Sequence, residues 1–234
     1  MRAAWPSRAP AALLLALALA LAAGRSAGAA DDTRTTAPPS EAERLLFMQP
    51  HLANIEPPRT LRYRYHEEEK GQARDDEVTM QFERGATGCC HVHGSYLSGA
   101  RAIALPDIEQ ASANPVLLYF LEQQVRQLQQ RSGGNGAHFR RRIRASLVDQ
   151  ARLGTATVRW GGRELQARTV RVTPFVDDPY RARFERDADT EYSFVLSDAV
   201  PGGVYQMRAV RSGAEPASQT LTLAEPAERP TDKR

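Results

Sequence analysis

Lysine is almost missing from this chain: Lys70 and Lys233 occur, and the rest of the 31 basic residues are arginine. With the heavy use of alanine, that bias points to a GC-rich bacterial genome. Cysteine is as scarce. Cys89 and Cys90 are the two present, so the one intrachain partner of either thiol is its immediate neighbour. Successive side chains on an extended strand point to opposite faces, so a bridge between neighbours needs a distorted peptide. Free thiols or a metal site are the easier expectations, even in an oxidising compartment that pairs most thiols. Charge of one sign is not in excess either: the formal net charge of +3 is too small to argue for nucleic acid as a partner.

Catalytic signatures are also lacking. The chain has no G-x-S-x-G elbow, H-E-x-x-H helix, phosphate loop or dinucleotide fingerprint. Asp177-Asp178 beside Pro179 reads as a turn, and Glu67 to Glu69 as a solvated strand end. Gly85, five residues, then His91-Val92-His93 matches the opening of the cupin metal motif. Cupin chemistry is nevertheless rejected, because Leu97 and Ser98 stand where a glutamate is needed and the second half of the motif is absent. The expectation is a non-enzymatic protein with no cofactor, although catalytic groups that converge only in three dimensions leave no short motif.

What is present begins with an export signal. Arg2 and Arg8 precede an Ala/Leu run from Ala11 to Ala23, about 13 residues long, which Gly24 and Arg25 end before Ala27, Gly28 and Ala29. A spanning helix needs roughly 20 apolar residues, so residues 1–29 read as a signal peptide cleaved after Ala29 or Ala30. No cysteine stands at the cleavage point, which argues against a lipid-anchored lipoprotein. The periplasm is the expected location.

Residues 30–59 read as a polar leader with a short helix, 60–224 as a single domain, and 225–234 as a disordered tail. Ser40 and Glu43 have the spacing of a capping box ahead of Leu45, Leu46 and Phe47. From Thr60 the period becomes two. Leu61, Tyr63 and Tyr65 alternate with Arg62, Arg64 and His66, and Glu77 to Phe82 and His91 to Leu97 continue an antiparallel meander. Asn114 and Pro115 then start a helix to Gln130 with Leu117, Phe120, Leu121, Val125 and Leu128 on one face. After the Ser132 to Gly136 loop, Phe139, Ile143 and Leu147 predict a second helix ending near Gly154. Thr155 to Trp160 and Arg163 to Val172 flank a Gly161-Gly162 hairpin turn. Tyr192 to Leu196 and Val204 to Val210 flank a second turn, and Gln219 to Leu223 complete the sheet. This order predicts an α+β fold: a curved antiparallel β-sheet, half-barrel-like, with an inserted helical hairpin.

That element order, with Tyr192 to Asp198 and Val200-Pro201-Gly202-Gly203 as a late hairpin, resembles the periplasmic lipoprotein-carrier superfamily of LolA/LolB-like proteins. It is also similar to uncharacterised exported β-rich proteobacterial proteins, which imply no function. The carrier resemblance implies a half-barrel holding acyl chains beneath a helical lid, and it assigns no residue by position.

Three candidate sites follow. Leu117, Phe120, Leu121 and Phe139 are the candidate lid contacts for a lipid or lipidated partner, with ordinary core packing as the competing reading. Arg140, Arg141 and Arg144 lie opposite the apolar face of the second helix, available to an anionic membrane surface or headgroup; the competing reading is a solvated helix face. Cys89, His91 and His93 share one face of a regular strand and could converge on copper or zinc. The main expectation is thus a periplasmic binding protein and lipid carrier. The alternatives are a metal-binding protein centred on the Cys-Cys-His-x-His segment and an envelope interaction module.

Overall fold

The computed structural model describes residues 38–86 and 88–226. The expected signal peptide, the start of the leader and the end of the tail lie outside the described residues.

The Ser40 capping box forms as the spacing predicts: the Glu43 backbone N–H donates to Ser40 Oγ at 3.1 Å and the Ser40 N–H donates to Glu43 Oε2 at 3.0 Å. It starts α1 (Glu41–Glu43), which widens into a π-helical turn at Arg44–Met48. A 3-10 turn at His51–Asn54 then leads to the sheet. Leu45, Leu46, Leu52 and Ile55 are buried in the same core as the strands.

The first meander consists of β1 (Arg59–Glu69), β2 (Gln72–Gly85), β3 (Gly88–Tyr96) and the two-residue β4 (Ile103–Ala104). Its alternation is visible as burial: Leu61, Tyr63 and Tyr65 on β1 and Val78, Met80 and Phe82 on β2 all point inward. Two helices follow, α2 (Val116–Ser132) and α3 (Gly136–Asp149). Asn114 Oδ1 accepts from the Val116 N–H at 3.2 Å, and Asn135 Oδ1 caps α3 by accepting from the Ala137 N–H at 2.8 Å. The second meander is β5 (Arg152–Trp160), β6 (Arg163–Val172), β7 (Glu191–Leu196), β8 (Val204–Arg211) and β9 (Ala217–Leu223), with the single turn α4 (Glu185–Ala188) between β6 and β7.

All these strands join one antiparallel sheet in the order β4-β3-β2-β1-β9-β8-β7-β6-β5. The chain enters at the centre with β1 and meanders out to one edge at β4. It crosses over to the opposite edge at β5 through α2 and α3, then meanders back until β9 pairs with β1, Tyr63 opposite Leu223. The sheet is curved and open, as expected for the α+β class. The crossover explains why the helical pair is buried on one side. Joining two opposite edges of a curved sheet carries it across the inner face, where Phe120 meets Phe194 edge-on at 6.2 Å.

The second helix ends earlier than its glycine predicts. α3 stops at Asp149, and Gly154 lies within β5 opposite Thr169. A side chain there would bring a Cβ to 3.0 Å from Thr169 Oγ1, so this glycine serves close strand packing and not a helix cap.

Candidate functional site

A cavity of about 690 Å³ lies at the outer edge of the helical pair. Its walls come from four segments: the α1 turn (Phe47, Met48), the stretch from Tyr96 to Pro106, one flank of α2 (Leu118, Tyr119, Leu121, Val125) and the last turns of α3 (Ile143, Leu147). Two hydrogen bonds between segments fix the walls to one another. Ser40 Oγ donates to the Leu147 carbonyl at 3.0 Å, fixing the α1 turn to the end of α3. Tyr119 donates its phenolic proton to the Pro106 carbonyl at 2.8 Å, fixing the loop after β4 to α2. Gly94 permits that loop to lie close, because any Cβ at this position would stand 2.8 Å from Leu105 Cδ1. Met48 is 60 % exposed and Leu118 54 % exposed, so the cavity presents apolar side chains to solvent at its mouth.

Charge is arranged around that mouth. Arg126, Arg140 and Arg144 line it with Glu43 and Glu122. Arg140 grips both oxygens of Glu122, Nε at 2.9 Å and Nη2 at 2.5 Å, a bidentate pair. That hydrogen bond holds the Glu122 carboxyl below its usual range, the partial burial of the group opposing it. Arg126 reaches the same carboxylate only at 3.7 Å, and Arg144 meets Glu43 only at 3.7 Å with most of its side chain in water. Three guanidiniums thus share two carboxylates, leaving one net positive charge at the rim.

The expected contact residues divide. Leu121 lines the cavity, as do Arg140 and Arg144. Leu117, Phe120 and Phe139 do not: Phe139 packs edge-on against Phe175 at 5.7 Å and Phe184 at 5.4 Å, and Leu117 and Phe120 are fully buried core. Arg141 is exposed on α3 away from the cavity. The inner face of the sheet, expected to hold acyl chains, is filled by Val78, Met80, Phe82, Phe194, Met207 and Leu221, each at most 1 % exposed. The cavity lies beside the paired helices α2 and α3 and not between them and the sheet. Leu118 was the signal for this in the sequence. It breaks the one-faced stripe of α2 with an apolar residue on the wrong side, next to Tyr119.

The cysteine and histidine segment departs from the regular strand assumed for it. The sulfurs of Cys89 and Cys90 are turned toward each other and not toward the histidines. A bulge on β3 sets Arg84 opposite Cys89 but Glu83 opposite His91, inserting Cys90 as an extra residue. One inserted residue reverses the facing of everything before it. Cys89 therefore turns its sulfur toward the Ile55 carbonyl at 4.0 Å, while His91 and His93 stay together on the outer face with ring centres 4.4 Å apart. Glu83 takes the place expected for Cys89: one donor atom each from Glu83, His91 and His93 lies within 4.8 Å of the others.

The chain matches no known family model and no curated protein, so the arrangement of these residues is what bears on function.

Proposed function

We propose that this is a binding protein for a single-chain anionic amphiphile, a fatty acid or lysophospholipid, acting as an exported carrier in the periplasm. The observation that carries the reading is the apolar cavity of about 690 Å³ with a net positive rim. Its volume falls within the roughly 300–1,000 Å³ of pockets that enclose small ligands. An acyl chain would lie along Phe47, Leu121, Ile143 and Leu147. The headgroup would remain at the mouth beside Arg126 and Arg144, whose guanidiniums are the less tightly engaged by carboxylates. Without a catalytic signature in the sequence, binding and release account for the site.

The test is native mass spectrometry of the protein, from residue 31 onward, mixed with a long-chain lysophosphatidic acid or its zwitterionic choline counterpart. One bound anionic lipid per chain is expected, with weaker retention of the zwitterion. Leu118→Asp should lose binding at least tenfold without lowering the melting temperature, since its side chain is largely exposed. Equal retention of both lipids by wild type and Leu118→Asp would overturn the reading.

A further inference from the structure

We propose that the outer face of the sheet carries a second, independent site, for a borderline divalent cation of the zinc class, built from Glu83, His91 and His93 and oriented by Asp107. Two strands supply the donors and a loop supplies the residue that orients them. Glu83 on β2 stands directly opposite His91 on β3, and His93 is two residues further along the same face. Asp107 arrives from the loop after β4, held close by the paired backbone bonds between Val92 and Ile108, 2.8 and 3.0 Å.

Asp107 decides what His93 can do. Its Oδ1 lies 2.9 Å from His93 Nδ1. A proton on Nδ1 shared with that carboxylate leaves Nε2 as the free lone pair, the carboxylate–histidine arrangement that fixes tautomer and ring orientation at metal centres. Nε2 faces Glu83 Oε2 at 3.9 Å. Donors on a tetrahedral ion stand roughly 3.4 Å apart, given bonds of about 2.0–2.2 Å. The three donors here lie within 4.8 Å of one another, and Glu83 is exposed enough to rotate and close the remaining gap. Two imidazoles and one carboxylate leave a fourth position for water, the donor set of open zinc sites. Cys89, turned toward the Ile55 carbonyl, is not part of this set, so the site is of nitrogen and oxygen donors.

The competing account is a histidine held by two acids with no ion between them, and metal titration separates the two. Isothermal titration of metal-free protein with Zn²⁺ should give one equivalent per chain, and Co²⁺ should develop the absorption bands of a tetrahedral centre. His91→Ala and His93→Ala should each abolish that equivalent. Asp107→Asn should weaken it about 10–100-fold while keeping the stoichiometry, as for other groups that orient a ligand. Glu83 and Asp107 are exposed and the two histidines are half-buried at the surface of β3, so metal-free melting temperatures should stay close to wild type; Glu83→Gln provides a second loss-of-ligand variant if a histidine variant misfolds. The absence of a saturable equivalent in wild type, or an equivalent that survives His91→Ala and Glu83→Gln, would overturn the proposal. Lipid binding at the cavity is unaffected in either case, because none of these residues lines it.

Discussion

His51 shows how a single side chain can join the N-terminal segment to the rest of the core. Its Nε2 lies 2.8 Å from the Leu45 carbonyl, and its Nδ1 accepts from the Asn114 N–H at 3.3 Å. Asn114 donates onward to Tyr63 Oη at 3.0 Å and to the Gly202 carbonyl at 2.9 Å. With Nδ1 accepting, the ring is neutral and its proton is on Nε2. Burial pushes its pKa below the ordinary 6.5, the Leu45 hydrogen bond opposing. The folded pKa is the lower one, so the unfolded chain binds the extra proton and acid favours unfolding. The contribution of His51 to stability is complete above the unfolded value of 6.5 and is lost as pH falls below it. Melting temperatures measured from pH 7.5 downward should therefore fall more steeply in wild type than in His51→Gln. Parallel curves would show that His51 does not titrate on unfolding. None of this was legible in the sequence, where His51 stands between Pro50 and Leu52 with no periodic pattern. The partnership depends on Asn114, 63 residues away. The residue-scale expectation that failed did so for a similar reason. The facing of Cys89 depends on a bulge, and a bulge is a relation between two strands that neither strand states alone.

At the scale of elements, agreement was close wherever one local force dominated. The capping box at Ser40, the alternation along β1 and the apolar stripe of α2 each depend on residues a few positions apart. The Gly161-Gly162 turn is another such case. Both glycines have positive φ, +57° and +71°, as a two-residue primed turn between right-twisting strands requires. Gly161→Ala should cost about 1 kcal/mol from the left-handed conformation alone, because nothing lies within 4 Å of the added methyl. A urea midpoint unchanged by the substitution would show that the hairpin tolerates another turn type. Disagreement came where packing outweighed local preference. Gly154 reads as a helix end until Thr169 is seen opposite it, and the Phe139 stripe, which in the sequence fits either ligand contact or core packing, is packed against Phe175 and Phe184. An apolar helix face announces that it will be buried and says nothing of what buries it.

For the whole molecule, the order of elements gave the α+β class and the antiparallel sheet, but not the central pairing of β9 with β1 that joins the two meanders. That pairing sends the helical crossover over the inner face and packs it solid. A cavity of about 690 Å³ is found instead at the margin between α2, the end of α3, the α1 turn and the loop after β4. A lipid site was anticipated beneath the helical pair, whereas this cavity lies at its side. Photo-crosslinking locates the bound chain: a long-chain fatty acid bearing a terminal diazirine is bound, irradiated, and its adducts mapped by peptide sequencing. Binding in the cavity should give adducts concentrated on its segments, at Phe47, Met48, Leu118, Leu121, Ile143 and Leu147, competed away by unlabelled lysophosphatidic acid. Adducts on the strands of the inner face, at Met80, Phe194 or Met207, or scattered labelling that no lipid competes, would contradict it.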